Sequence, residues 1–308
     1  MVERPQDQAP RDLREILPEL TQIVRQRKFL PHSYFIMAAT GIRRGMQISA
    51  GLPELRKSYF RCLSVLAVVI AAESVAILLI AKSLSAWVPV LASAAWFAFA
   101  GVLAYSQLCL VKRPDGSRLD SFGLSNTLTL FRFLNIPLVV LLMPFFPSDR
   151  GLLLVGVSIF TAAVVSDTLD GNIARLTGTT TDFGRIYDPV CDIAINAGVC
   201  VGAWLAGYLP WWYLLVAELR FFLPLLGGAW LYVYRKPWKI RPTLWGKLSV
   251  FVYALFIAIL LLRELTGVPF LVDLSHKFLW LSGLLFAFNL VHIVDRGLAM
   301  MVRPIAEE

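Results

Sequence analysis

Four aspartates in the stretch SDTLDGNIARLTGTTTDFGRIYDPVCD, residues 166–192, have the types and spacing for phosphate chemistry. Asp167 and Asp170 are three apart, and Asp188 and Asp192 are four apart, so on helices each pair shares one face. Between them Gly178, Gly184 and four threonines punctuate the chain, and Thr181 or Asp182 can cap the next helix. The chain therefore folds back, and two carboxylate pairs can face each other across an antiparallel helical hairpin. Anions so placed repel unless protons or cations neutralise them. Hard oxygen donors suit Mg²⁺, Mn²⁺ or Ca²⁺, whereas a soft-metal site would use Cys or His, and none of the three histidines is near. Four carboxylates can hold two divalent ions, the arrangement that clamps phosphate oxygens. Gly171 and Ala174 leave room against the helix backbone, and Arg175 offers a planar fork for phosphate. Together these residues read as a diphosphate site. Asp182, the fifth aspartate, reads as a cap rather than a ligand.

These carboxylates sit in an apolar chain. Of 308 residues 57% are apolar and 16% charged, and mean hydropathy is +0.67. Spans are expected near 62–81, 87–109, 126–146, 151–175, 186–207, 212–234, 247–263 and 277–295, each long enough to cross a hydrocarbon core of about 30 Å. The class is an all-α, multi-pass integral membrane protein. A β-barrel would show short alternating segments instead. No signal peptide is expected, because the first 60 residues are charged and no small-residue cleavage site follows an early apolar core. Cys62, Cys109, Cys191 and Cys200 have no CxxC spacing and read as small buried hydrophobes.

The basic residues set the orientation. Threading the eight spans places 23 Lys and Arg on one side and 4 on the other (Lys82, Arg150, Arg263 and Lys277), with Arg132 and Arg220 inside spans. By the positive-inside rule both termini and the aspartate loop are cytoplasmic. The net charge of +8 is thus mainly a topology signal, and nucleic-acid binding is not expected. Residues 1–61 form a cytoplasmic arm with an amphipathic helix around 13–27. Residues 62–119 form a two-span hairpin and a linker punctuated by Pro114, Gly116 and Ser117, and residues 120–308 form a six-span core.

Written as a pattern, the stretch is D-x2-D-G-x2-A-R-x8-G-x3-D-x3-D, and it resembles the signature of the CDP-alcohol phosphotransferases, membrane enzymes of phospholipid synthesis. Every fixed position is filled: Asp167, Asp170, Gly171, Ala174, Arg175, Gly184, Asp188 and Asp192. Asn126, Thr129 and Arg132 look like that family's first core helix. The resemblance implies a six-helix core near residues 120–300, here preceded by an extra two-helix hairpin. It implies transfer of a phosphatidyl group from a CDP-linked lipid, typically CDP-diacylglycerol, to an alcohol, with release of CMP. By position, Asp167, Asp170 and Asp188 correspond to ligands of two Mg²⁺ or Mn²⁺ ions. Asp192 corresponds to the general base, also touching a metal. Gly171, Ala174 and Arg175 correspond to the nucleotide site, with Gly184, Asn126 and Thr129 beside them.

The acceptor is less legible. Arg220, inside a span, and Lys239, Arg241 and Lys247 can bind a phosphorylated alcohol such as glycerol 3-phosphate or inositol phosphate. Family members that use phosphorylated polyols often follow the last aspartate with Lys or Arg, and this chain has Ile193. An intramembrane prenyltransferase would carry a second, separate aspartate motif. A divalent-cation transporter would place its acids near the midplane and often show internal repeats. The chain shows neither feature. Gly198, Gly202 and Ala203 invite close helix contact, either within one chain or at the seam of a homodimer.

Overall fold

A computed structural model describes residues 31–81, 83–233 and 243–302, together with Gln22. The expected amphipathic helix at 13–27 and the loop cations Arg235, Lys236, Lys239 and Arg241 lie outside the described residues, apart from Gln22. The helices are α1 (Pro31–Ala50), α2 (Pro53–Ala81), α3 (Trp87–Ser106), α4 (Leu124–Leu134), α5 (Ile136–Leu142), α6 (Arg150–Thr177), α7 (Asp182–Leu205), α8 (Trp211–Val233), α9 (Leu244–Thr266) and α10 (Pro269–Val302). Among the described residues the only strand-like pairing is an isolated antiparallel bridge between Lys112 and Arg118.

Among the described residues seven helical segments, 22 to 31 residues long, are apolar and long enough to cross a bilayer. One of them joins α4 and α5 across the break at Asn135 and runs to Phe145. Helix α8, with 23 residues, is as long as several of these, and Glu218 and Arg220 dilute its hydropathy. The all-helical, eight-span expectation therefore holds. The ends shift by a few residues in most spans and by the most in two: α2 starts at Pro53 rather than 62, and α10 runs from Pro269 to Val302 rather than 277 to 295. Helical hydrogen bonding does not stop where the bilayer does. In the first turn of α2, Glu54 accepts from Lys57 at 2.8 Å, a favourable pair for a helix start.

Local chemistry sets the ends that frame the aspartate loop. Helix α6 ends in a Schellman motif, with Thr179 N–H bonded to Ala174 O (3.0 Å) and Gly178 N–H to Arg175 O (3.4 Å). Gly178 has φ +63°, a conformation that glycine adopts without a Cβ penalty. Helix α7 starts at a Thr181 cap, whose Oγ1 accepts from Gly184 N at 3.1 Å. Pro189 inside α7 has no N–H to give the Arg185 carbonyl, so one rung of the backbone ladder is missing in the turn that carries Asp188.

Two compact units divide the chain. The first comprises residues 1–73, 93–135 and 163–191, and the second 74–92, 136–162 and 192–308. In the first, an aromatic column runs Tyr59, Phe122, Phe183, Tyr187, with ring centroids 5.3, 5.2 and 4.1 Å apart. It joins α2, the start of α4 and the first turns of α7. The linker before α4 is also fastened here. Asp182 N–H bonds Lys112 O at 2.9 Å, and Arg113 Nε donates to Gly178 O at 3.1 Å. Hydrogen bonds from the Ser117 hydroxyl and amide hold the Asp115 carboxyl below its usual pKa and close the turn at the linker's tip.

In the second unit Tyr213, Phe221, Tyr253, Phe256 and Phe286 form the buried aromatic core. The Tyr253 hydroxyl donates to Asn196 O (3.0 Å) and accepts from the Cys200 thiol (3.3 Å). The glycines of α7 are used for packing inside the chain. A Cβ on Gly202 would lie 2.6 Å from Val140 O, and one on Gly198 2.8 Å from Val140 Cγ2. Of the two uses open to this small-residue face, the structure shows the intrachain one.

Candidate active site

The site grows from α4. Asn126, Thr129 and Arg132 follow one another at i, i+3 and i+6, so all three fall on one side of the helix. All three are buried. Asn126 donates to Phe122 O at 2.6 Å, and its Oδ1 accepts from the Thr181 hydroxyl at 2.9 Å. Thr181 thus joins α4 to α7 while capping α7.

One turn along α4, the Thr129 hydroxyl oxygen lies 3.0 Å from Asp170 Oδ2, 2.9 Å from Asp188 Oδ1 and 3.2 Å from Ser125 O. One oxygen therefore touches carboxylates from both α6 and α7. A hydroxyl carries a single proton, so it cannot donate to all three acceptors at once. The surplus negative oxygen calls for another positive group. A further turn on, Arg132 supplies one: its Nη1 contacts Asp167, and its Nη2 lies 3.8 Å from Asp170 and 4.0 Å from Asp188. Arg132 is only 3% exposed in its side chain and Asp170 4%, whereas Asp167 and Asp188 are 49% and 41% exposed. The cluster is therefore anchored at depth by Arg132 and Asp170 and opens outward through Asp167 and Asp188.

Glycines shape what lies beside it. A Cβ on Gly184 would sit 3.5 Å from Asn126 Oδ1, 3.5 Å from Thr181 Oγ1 and 3.8 Å from Asp188 Oδ2. Gly184 is thus buried in van der Waals reach of three oxygens. A Cβ on Gly171 would meet the Arg175 guanidinium at 3.4 Å, because Arg175 folds back over that glycine and donates to Asn172 Oδ1 at 2.8 Å. Ala174 is buried beneath the same turn.

The structure thus gathers Asp167, Asp170, Asp188, Asn126, Thr129 and Gly184 in the first unit, with Gly171, Ala174 and Arg175 on the following turns of α6. Asp192 is exposed, falls in the second unit and accepts from Asn196 through its backbone carbonyl at 2.6 Å. Of the expected acceptor residues, Lys239 and Arg241 lie outside the described residues, and Lys247 is exposed in the first turn of α9. Arg220 packs against Phe221 and Phe286, 5.0 and 5.5 Å from the ring centres, and reaches Gly246 O at 3.4 Å.

Sequence reasoning missed the place of Arg132. A lone arginine in an apolar span needs a counter-charge, and the only acidic cluster in the chain was its natural partner. The signal was the bare charge inside an apolar span, with nothing local to say which acid it meets.

The donor set fits a hard divalent cation: carboxylate oxygens, a hydroxyl and an amide oxygen, with no sulfur or imidazole among them. Among the described residues no three His, Cys, Asp or Glu side chains close into a metal-holding group, and the Arg132 guanidinium stands between the carboxylates.

This arrangement has a family. The profile of the CDP-alcohol phosphatidyltransferases matches residues 122–292, more than half the chain, and the chain belongs to that family. Use of divalent metals is general to its members. A probable phosphatidylglycerophosphate synthase of Mycobacterium tuberculosis is 33% identical over 144 residues, which is 46% of this chain and 66% of the relative. A CDP-diacylglycerol–glycerol-3-phosphate 3-phosphatidyltransferase of Mycoplasma genitalium is 36% identical over 95 residues, 31% of this chain and 39% of the relative. A putative cardiolipin synthase of M. tuberculosis is 37% identical over 65 residues, 21% of this chain and 31% of the relative. The chain thus spans just under two thirds of the first of these relatives and less of the others. No solved structure matches it.

Proposed function

We propose that the protein transfers a phosphatidyl group from CDP-diacylglycerol to a hydroxyl of a small alcohol, releasing CMP. The observation that carries this is the meeting of Asp167, Asp170 and Asp188 from two membrane helices around Thr129 and Arg132, with Gly171 next to Asp170 and Arg175 just over a turn further along α6. The loop beside them lies, by the positive-inside rule, on the cytoplasmic side, where nucleotide and soluble acceptor are found. The acyl chains stay in the bilayer.

Asp167, Asp170 and Asp188 would hold two Mg²⁺ or Mn²⁺ ions, with Asp192 at their edge. Bound there, the ions supply charge neutralisation for the diphosphate and for the departing phosphate of CMP. The remaining roles belong to the chain. Arg175, folded over the bare backbone at Gly171, binds diphosphate oxygens through its fork. Asn126 and Gly184 border the nucleotide end of the site, and Thr181 ties them together from its cap position. Asp192 takes the proton of the acceptor hydroxyl as its oxygen bonds the lipid-bearing phosphorus. The bond from that phosphorus to the oxygen bridging it to the CMP phosphate breaks, and the electron pair leaves with CMP.

The acceptor we propose is a phosphorylated polyol, with glycerol 3-phosphate first. Arg220 supports this. Among the described residues it has aromatic faces and one carbonyl around it and no carboxylate, and its buried Nε has no hydrogen-bond partner. The names of two relatives point to a glycerophosphate product or acceptor. Ile193, where a basic residue often follows the last aspartate, argues for testing other acceptors in parallel.

The test uses the purified full-length chain in detergent with CDP-diacylglycerol, Mg²⁺ or Mn²⁺, and glycerol 3-phosphate, inositol phosphate, glycerol or phosphatidylglycerol. Metal-dependent CMP release with glycerol 3-phosphate is expected. Metal-dependent release with another acceptor alone would keep the class and replace the acceptor. No CMP with any of them would overturn the proposal.

A further inference from the structure

We propose that Arg132 is a positioning residue: a built-in counter-ion that holds the Asp167, Asp170 and Asp188 carboxylates together and competes with divalent cations for them. This rests on the reading of those aspartates as metal ligands.

Three carboxylates brought this close from two helices repel, and depth within the protein weakens screening by water. Thr129 offers one proton among them. Arg132 offers a full charge from a third helix, buried at 3% exposure. Its contacts are graded. It touches Asp167 directly, while its Nη2 stays 3.8 Å from Asp170 and 4.0 Å from Asp188, within ion-pair range and beyond hydrogen-bond length. The guanidinium thus attracts all three without using up the oxygens of two of them. It also sits where a dication ligated by the same oxygens would feel its repulsion. Whatever holds the carboxylates without metal must be worked against when metal binds, and such coupling between two cations at one set of ligands is reciprocal. Removing the guanidinium therefore makes the metal-free cluster less stable and its hold on metal tighter. A purely structural arginine would do the opposite, since a disordered ligand set binds metal more weakly.

The experiment measures Mn²⁺ affinity by the loss of the free-ion electron paramagnetic resonance signal. It is paired with thermal unfolding in chelator and in saturating Mn²⁺, on the full chain in detergent. Arg132→Gln is expected to bind Mn²⁺ about tenfold tighter than the parent, a change of about 1.4 kcal/mol. The gap between its unfolding midpoints with and without Mn²⁺ is expected to widen, as linkage requires. Arg132→Lys keeps the charge but lacks the fork, and a tightening of a few fold is expected. Should Arg132→Gln not fold in either condition, Arg132→Lys decides. Unchanged or weaker Mn²⁺ binding in the variants that fold would overturn the proposal. Asp188→Asn separates the two claims. If it leaves Mn²⁺ binding at the parent level, the metal-ligand reading itself fails. If it weakens binding while neither arginine variant tightens it, only the role of Arg132 fails.

Discussion

Arg132 and Arg220 both lie in the interior of long apolar helical segments, and their surroundings differ in kind. Arg132 in the first unit faces three carboxylates. Arg220 in the second faces two aromatic rings and a carbonyl, and among the described residues it has no acidic partner. Burying a charge in a span is costly unless something compensates it. For Arg132 the protein supplies the compensation from its own helices. For Arg220 the rings soften the cost through cation–π contact, and the buried Nε is left over. The first arrangement holds protein groups in place. On the proposed reading, the second is where an anion from outside would bind. Glu218 does not fill it, since two residues along a helix puts it on a different face.

That contrast can be broken or sharpened by substitution. The largest effect is expected from Asp192→Asn, one turn past the acidic cluster on α7. Loss of a general base should lower kcat for CMP release about 10²- to 10⁴-fold. Full activity in that variant would remove Asp192 from the chemistry while leaving the cluster's metal role open to test. Arg220→Leu comes next. A lost charged hydrogen bond of about 1.5–3 kcal/mol should raise KM for glycerol 3-phosphate about 10- to 100-fold and leave KM for CDP-diacylglycerol alone. An equal rise in both would make Arg220 a packing residue.

Gly202→Val asks whether the second unit's packing matters to chemistry. Its branches would press on Val140 O, costing about 1–3 kcal/mol of stability and lowering the melting temperature. The turnover of the folded fraction should be unaffected. The smallest effect is expected from Thr181→Ala, which removes a helix cap and the bond to Asn126 at a cost of about 1 kcal/mol. Its activity loss should appear in KM for the CDP-lipid, read from initial rates.

Much of this was legible in the sequence, for identifiable reasons. The spans follow from hydropathy, and charges such as Arg56, Lys57 and Arg61 hid only the ends, because α2 continues through them. The aspartate spacing announced a helical hairpin, since three- and four-residue steps mean one face of a helix and Gly178 with Thr181 mark a stop and a start. Arg132 was less visible. Its partners lie 35, 38 and 56 positions away on other helices, and no local pattern encodes that meeting. The tie between Lys112 and Asp182 was hidden in the same way. The use of Gly198 and Gly202 was undecided in sequence, because a smooth helix face suits a neighbour in the same chain as well as a second copy.

The family's profile begins at residue 122, yet the first amide of α7 is satisfied by the carbonyl of Lys112, and Gly178 is held by Arg113. The boundary drawn by kinship is therefore not a mechanical one. A shortened gene starting at the profile's edge would sever two tethers on the signature loop and strip Tyr59 from the aromatic column behind it. The residues ahead of that edge thus serve as a brace for the loop behind it.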